Sequence, residues 1–148
     1  MSMNTNDTEK PYKAYVYAVR EQLEQQLSLL DQLSQLASAN RLTGIERSAT
    51  ERNLQLLVEV ALGCSKHYLK SQTLPVPSES AMVIRQVYSV LTIENPLEQE
   101  MIGAVGMRNA IIHDYLNLDW DKVSSVLTQK KYHQVAKYCE RLLKELMG

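Results

Sequence analysis

Phenylalanine is absent from this chain, tryptophan occurs once, and glycine and proline number only five and four in 148 residues. With so few helix breakers, and with Leu, Gln, Glu, Lys, Ala and Val plentiful, the composition predicts an all-α protein. Cysteine is scarce as well. Cys64 and Cys139 stand 75 positions apart and fit no zinc-ligand spacing, so buried free thiols in a reducing compartment are expected and no structural metal is.

An excess of charge of one sign is also missing. Sixteen basic residues face seventeen acidic ones, for a net charge of −1, so any contact with nucleic acid has to come from a local patch or from paired subunits. No stretch approaches the ~18 continuous apolar residues of a membrane span, and the opening "MSMNTNDTEKPYKAY" has no apolar segment of the secretory kind. A soluble, cytoplasmic protein with no membrane contact is expected. The length suits one domain over residues 1–148, with 1–10 flexible, large enough to bury a core without covalent or metal staples.

What is present is helical periodicity. Asp7 or Thr8 can cap a first helix with Pro11 in its first turn, and Tyr15, Val16, Val19, Leu23, Leu27, Leu30, Leu33 and Leu36 carry one apolar face to about Ala39. Asn40 and Gly44 break the pattern, and Ser48 or Thr50 can cap a second helix over about 49–71. That helix is apolar almost all round between Leu54 and Leu62, as in a helix enclosed by neighbours.

"TLPVPSES" forbids continued helix, after which Ser78 or Ser80 can start a third helix reaching Leu91. Asn95 as cap, Pro96 as first helical residue and Glu98 with Glu100 near the first turn predict a fourth. Asp119 can cap a fifth that runs to the C-terminus. Four or five helices with short connections predict an up-and-down bundle, an architecture that hosts unrelated activities.

The chemistry concentrates in "MRNAIIHDY", residues 107–115. On a regular helix, at about 100° per residue, Asn109 and His113 share one stripe and Arg108 and Tyr115 another. Arg108 and His113 then diverge by roughly 140°, too far to meet on one small group. Either a symmetric dimer brings the two together across a two-fold axis, or the helix ends near His113.

These residue types suit metal-independent cleavage of RNA. An imidazole takes the 2′-hydroxyl proton and a guanidinium holds phosphate oxygens, while Asn109 orients the imidazole or donates to the phosphate. A solvated helix face with Tyr115 as a core aromatic explains the same residues without function.

"RNAIIHDY" resembles the Arg-x4-His-x-Tyr signature of HepT-like toxins in the HEPN superfamily. The general motif there is Arg-x4-6-His with a polar residue after the arginine, and Arg108, Asn109, His113 and Tyr115 all fit. "ERNLQLLVEVALGCSKHYL" resembles the family's second helix, and "MIGAVGMRNAIIHDYLNLDWDKV" its fourth helix and following loop. Met107 departs from relatives that often carry an aromatic there, a change of packing and not of chemistry.

The resemblance implies a HEPN-like helical bundle acting as a homodimer or larger homo-oligomer. Its activity would be that of a metal-independent endoribonuclease toxin of a type VII toxin–antitoxin system, cutting tRNA or mRNA with Arg108, Asn109 and His113. It further implies neutralisation by an MntA-like minimal nucleotidyltransferase antitoxin that transfers AMP to Tyr115. No cofactor is implied. The alternative is a non-catalytic HEPN helical module that binds a nucleotide or a partner protein.

Other polar residues have plainer explanations. Glu51 and Arg52 near the start of the second helix fit dipole complementarity and a surface ion pair better than a site. Arg47, Lys66, His67, Lys70, Lys130 and Lys131 can form basic rims for RNA, though a solvated face explains each of them singly. His67 and His133 have no partner at metal-ligand spacing. The tyrosines at 12, 15, 17, 132 and 138 fit packing better than base stacking.

Overall fold

A 26-residue amphipathic helix, α1 (Lys13–Ser38), opens the fold by burying Val16, Val19, Leu23, Leu30 and Leu33 along one stripe. The structure, a computed structural model, describes residues 11–148. The capping expected of Asp7 or Thr8 lies outside the described residues. Asn40, in the left-handed region at φ 57°, ends this segment as asparagine readily does.

The second helix, α2 (Gly44–Ser71), starts earlier than the glycine suggested. Thr43 accepts from the Glu46 backbone N–H at 3.3 Å while Glu46 Oε1 accepts from Thr43 N at 2.9 Å, a reciprocal capping box. Gly44 is therefore the first helical residue, and Ser48 and Thr50 lie within the helix. As its all-round apolar middle predicts, α2 is central and packs on α1 and on the three helices that follow as α3, α4 and α6.

Those three are α3 (Ser80–Val90), α4 (Glu98–His113) and α6 (Tyr132–Met147), with α5 (Trp120–Thr128) between the last two. Glu79, and not Ser78 or Ser80, precedes α3, and Asn95 and Pro96 lie before α4, whose first residue is Glu98. The expected fifth helix is two helices. Lys130 takes φ 54° between α5 and α6, and a lysine in that conformation interrupts helix without a glycine or proline to announce it.

Asp119 does cap α5, accepting from Asp121 N at 3.0 Å. Among the described residues the fold is six α-helices with no strand, so the all-α expectation is borne out with one helix more than counted.

All six helices contribute to one apolar core. Tyr138, Cys139, Leu142 and Leu143 of α6 are fully buried, and each large apolar side chain so buried contributes about 1.5–3 kcal/mol. Cys64 and Cys139 are buried free thiols, as expected. Ser65 Oγ of α2 lies 2.6 Å from Tyr138 Oη and donates to the Ala61 carbonyl at 2.7 Å, so this buried pair is satisfied.

Candidate active site on the last turns of α4

The end of α4 holds the motif. Arg108 is pinned toward the neighbouring helices: its Nη1 donates to Asn109 Oδ1 at 2.8 Å and weakly to Ser80 Oγ of α3 at 3.5 Å. Its Nε stands 3.8 Å from Glu59 Oε1 of α2, an ion pair too long for a hydrogen bond. That Nε is buried and has no hydrogen-bond partner among the described residues. A buried N–H without an acceptor costs about 1–3 kcal/mol.

His113 is the last residue of α4 and is exposed. Because the helix stays regular through it, the roughly 140° between Arg108 and His113 persists within one chain. The chain turns only at Asp114, one residue too late to swing the imidazole round. Asn109, expected to orient the imidazole or to meet the phosphate, has its side-chain oxygen on Arg108 instead.

Tyr115 begins a single 3-10 turn, Tyr115–Asn117, outside α4. It is 55% exposed, so it is not a core aromatic. Its Oη donates to Glu51 Oε1 at 2.9 Å. Glu51 is buried at 8% exposure, contrary to the expected surface ion pair with Arg52. The hydrogen bond to Glu51 and then its charge hold the Tyr115 phenol above its ordinary ionisation range, with Arg47 opposing. The Arg47 guanidinium in turn lies 4.2 Å from the centre of the Trp120 ring.

A groove of about 860 Å³ runs beside the motif, lined by Leu54 and Val58 of α2, Met107 of α4, Val123 of α5 and Val135 of α6. Gly103, Gly106 and Ala110 border it, and nothing stands within 4 Å of where a side chain at either glycine would begin. By helical spacing His113 continues this small-residue stripe.

The basic rim does not assemble as one surface. Lys66 and Lys70 are exposed near the far end of α2 from Arg47, and Lys130 and Lys131 sit at the α5–α6 junction along the groove. His67 stacks on Tyr15 with centroids 4.0 Å apart. His133 Nε2 lies 2.8 Å from Asp31 Oδ1. Tyr132 and Tyr138 are buried and Tyr12 and Tyr15 partly so, as packing predicts, while Tyr17 is 54% exposed.

Residues 21–142 match the family described as Ribonuclease HepT-like. The chain belongs to the HepT-like ribonuclease family. The matched span takes in all four motif residues, Arg108, Asn109, His113 and Tyr115, as well as Glu51. No curated protein matches the sequence.

Solved structures share the HepT-like fold. One, described as a crystal structure of a toxin–antitoxin with AMP-PNP, superposes with a TM-score of 0.75 at 20% identity, covering 86% of this chain and 96% of that one. Another, the tri-AMPylated Shewanella oneidensis HEPN toxin in complex with MNT antitoxin, gives a TM-score of 0.76 at 21% identity, covering 88% and 96%. Among the described residues no helix is long and apolar enough to cross a membrane.

Glu51, which accepts from Tyr115, is the contact that local spacing passed over. Its signal was the polar residue itself, set just before the apolar middle of α2, at a position buried by the turn that follows α4.

Proposed function

We propose that this protein is the cytoplasmic ribonuclease toxin of a type VII toxin–antitoxin pair, a single HEPN domain over residues 1–148 that cuts tRNA or mRNA without a metal or cofactor. The observation that carries this is the guanidinium of Arg108, braced by Asn109, on the same helix end as the exposed His113. A guanidinium is suited to a phosphate oxygen, and an exposed imidazole to proton transfer with RNA.

In this mechanism the 2′-oxygen attacks the adjacent phosphorus as His113 takes its proton. The bond to the 5′-oxygen breaks, and that oxygen collects a proton from His113 of the partner subunit. Arg108 holds the equatorial phosphate oxygens, and Asn109 fixes the plane of the Arg108 guanidinium.

The roughly 140° between Arg108 and His113 supports a second subunit, since another copy of α4 across a two-fold axis would bring the two functions to one phosphate. The open stripe of Gly103, Gly106 and Ala110 lets that copy approach closely.

An MNT-type nucleotidyltransferase is the fitting antitoxin, since a neighbour of the same fold is described as an AMPylated toxin in complex with one. Tyr115 is the acceptor, exposed and just past the helix end. AMP esterified there adds bulk and a negative phosphodiester close to the site, competing with RNA for Arg108.

The test is RNA cleavage and growth arrest by His113→Ala against wild type, with circular dichroism as the fold control. Loss of about 10²- to 10⁴-fold is expected. Full activity in a folded His113→Ala protein overturns the proposal. A wild-type protein that binds a partner yet never cleaves RNA favours the non-catalytic module.

A further inference from the structure

RNA cleavage as set out above leaves the contact between Glu51 and Tyr115 unused. It spans 64 residues of sequence and joins a buried carboxylate on α2 to an exposed phenol, Oη to Oε1 at 2.9 Å. The carboxylate is thus held in place on one side of the oxygen, while the ring remains open to a reactant on the other. Arg47 precedes Glu51 by four residues on the same stripe of α2, steadied over Trp120. Glu51 and Arg47 are the charged side chains that act on this phenol.

A phenol that donates to a carboxylate stays protonated at neutral pH. It becomes a competent nucleophile only if the proton has somewhere to go as the new bond forms.

We propose that Glu51 is the proton acceptor for nucleotidyl transfer to Tyr115, an inference that rests on Tyr115 being the modified residue. In the step, Tyr115 Oη bonds to the α-phosphorus of ATP. The bond from that phosphorus to the oxygen bridging to the β-phosphate breaks, pyrophosphate leaves, and the phenolic proton passes to Glu51 Oε1. The modifying enzyme brings the nucleotide, and the modified protein supplies the base.

The experiment compares full-length wild type, Glu51→Gln, Glu51→Asp and Tyr115→Phe, each incubated with the cognate nucleotidyltransferase and ATP and followed by intact mass. Glutamine keeps an oxygen that accepts from the phenol but cannot take its proton, so a merely positioning role predicts an unchanged rate. Loss of the base predicts initial rates about 10²- to 10⁴-fold lower near neutral pH, with KM for ATP unchanged. The deficit narrows as pH rises, because ionised phenolate needs no acceptor. Glu51→Asp keeps a measurable rate with the wild-type pH profile, and it carries the test if Glu51→Gln does not fold by circular dichroism.

Wild type modified at Tyr115 with Glu51→Gln modified equally fast overturns the role of Glu51 alone. Wild type that gains no mass, or Tyr115→Phe that gains as much as wild type, overturns the assignment of Tyr115 and this inference with it.

Discussion

Arg108 Nη1 donates to Asn109 Oδ1 at 2.8 Å, so two adjacent motif residues are joined to each other within one chain. In the proposed mechanism Asn109 acts on the phosphate through Arg108. Asn109→Ala is expected to lower RNA cleavage by about 3- to 10-fold, the worth of one ordinary hydrogen bond. Once Arg108→Ala has been made, adding Asn109→Ala lowers cleavage no further. Single-turnover rates of the two single variants and the double variant measure this coupling.

The small-residue stripe on α4 yields a prediction that separates folding from assembly. Gly106→Leu has open space above it, and replacing a helical glycine favours the helix by roughly 0.5–1 kcal/mol. The monomer should melt no lower than wild type, while the bulk keeps a second α4 away. Light scattering is expected to shift from dimer to monomer mass, and cleavage should fall with it. A dimeric, active Gly106→Leu protein places the subunit interface elsewhere.

At the centre of the bundle, Ser65 and Tyr138 offer an asymmetric pair. Ser65 donates to Ala61 O, so Tyr138 is the donor to Ser65 Oγ. Ser65→Ala strands a fully buried phenolic O–H and is expected to cost about 1–3 kcal/mol. Tyr138→Phe leaves Ser65 still bonded to Ala61 and costs about 0.5–1.5 kcal/mol. Urea midpoints at unchanged slope give both numbers, and the reverse order would refute the assignment of donor.

Asp31 of α1 ties the start of α6 to the bundle, accepting from Tyr132 and pairing with His133. The Tyr132 hydroxyl first, and His133 after it, hold this carboxyl below its usual range. A depressed carboxylate contributes stability above its unfolded value, about 3.9, and that stability is lost as pH falls through the folded value. Wild type should therefore be more stable than Asp31→Asn at neutral pH, and the gap should close below about pH 4. Thermal melts of both proteins across that window measure it.

Helices with strong local signals were legible from the chain alone. The stripe from Val16 to Leu33 and the apolar middle of α2 lie where their spacing put them. The start of α2 was misplaced because Gly44 reads as a breaker, whereas Thr43 and Glu46 outweigh it by satisfying each other's backbone groups. The break at Lys130 leaves no mark in "TQKKYH", since α5 packs on α1 while α6 packs on both α1 and α2, contacts distant in sequence.

Of the site, Arg108, Asn109, His113 and Tyr115 could be named from a nine-residue stretch. Glu51 could not, because its meaning is a contact 64 positions away that no local periodicity encodes.

The C-terminal helix has a consequence for the order of synthesis. Tyr138, Leu142 and Leu143 complete the core, yet they leave the ribosome only after the whole of the motif has been made. At about 5–20 residues per second, a newborn chain carries Arg108 and His113 for a few seconds without the helix that closes the bundle around them. A message truncated before α6 therefore yields the motif residues without the side chains that complete the core.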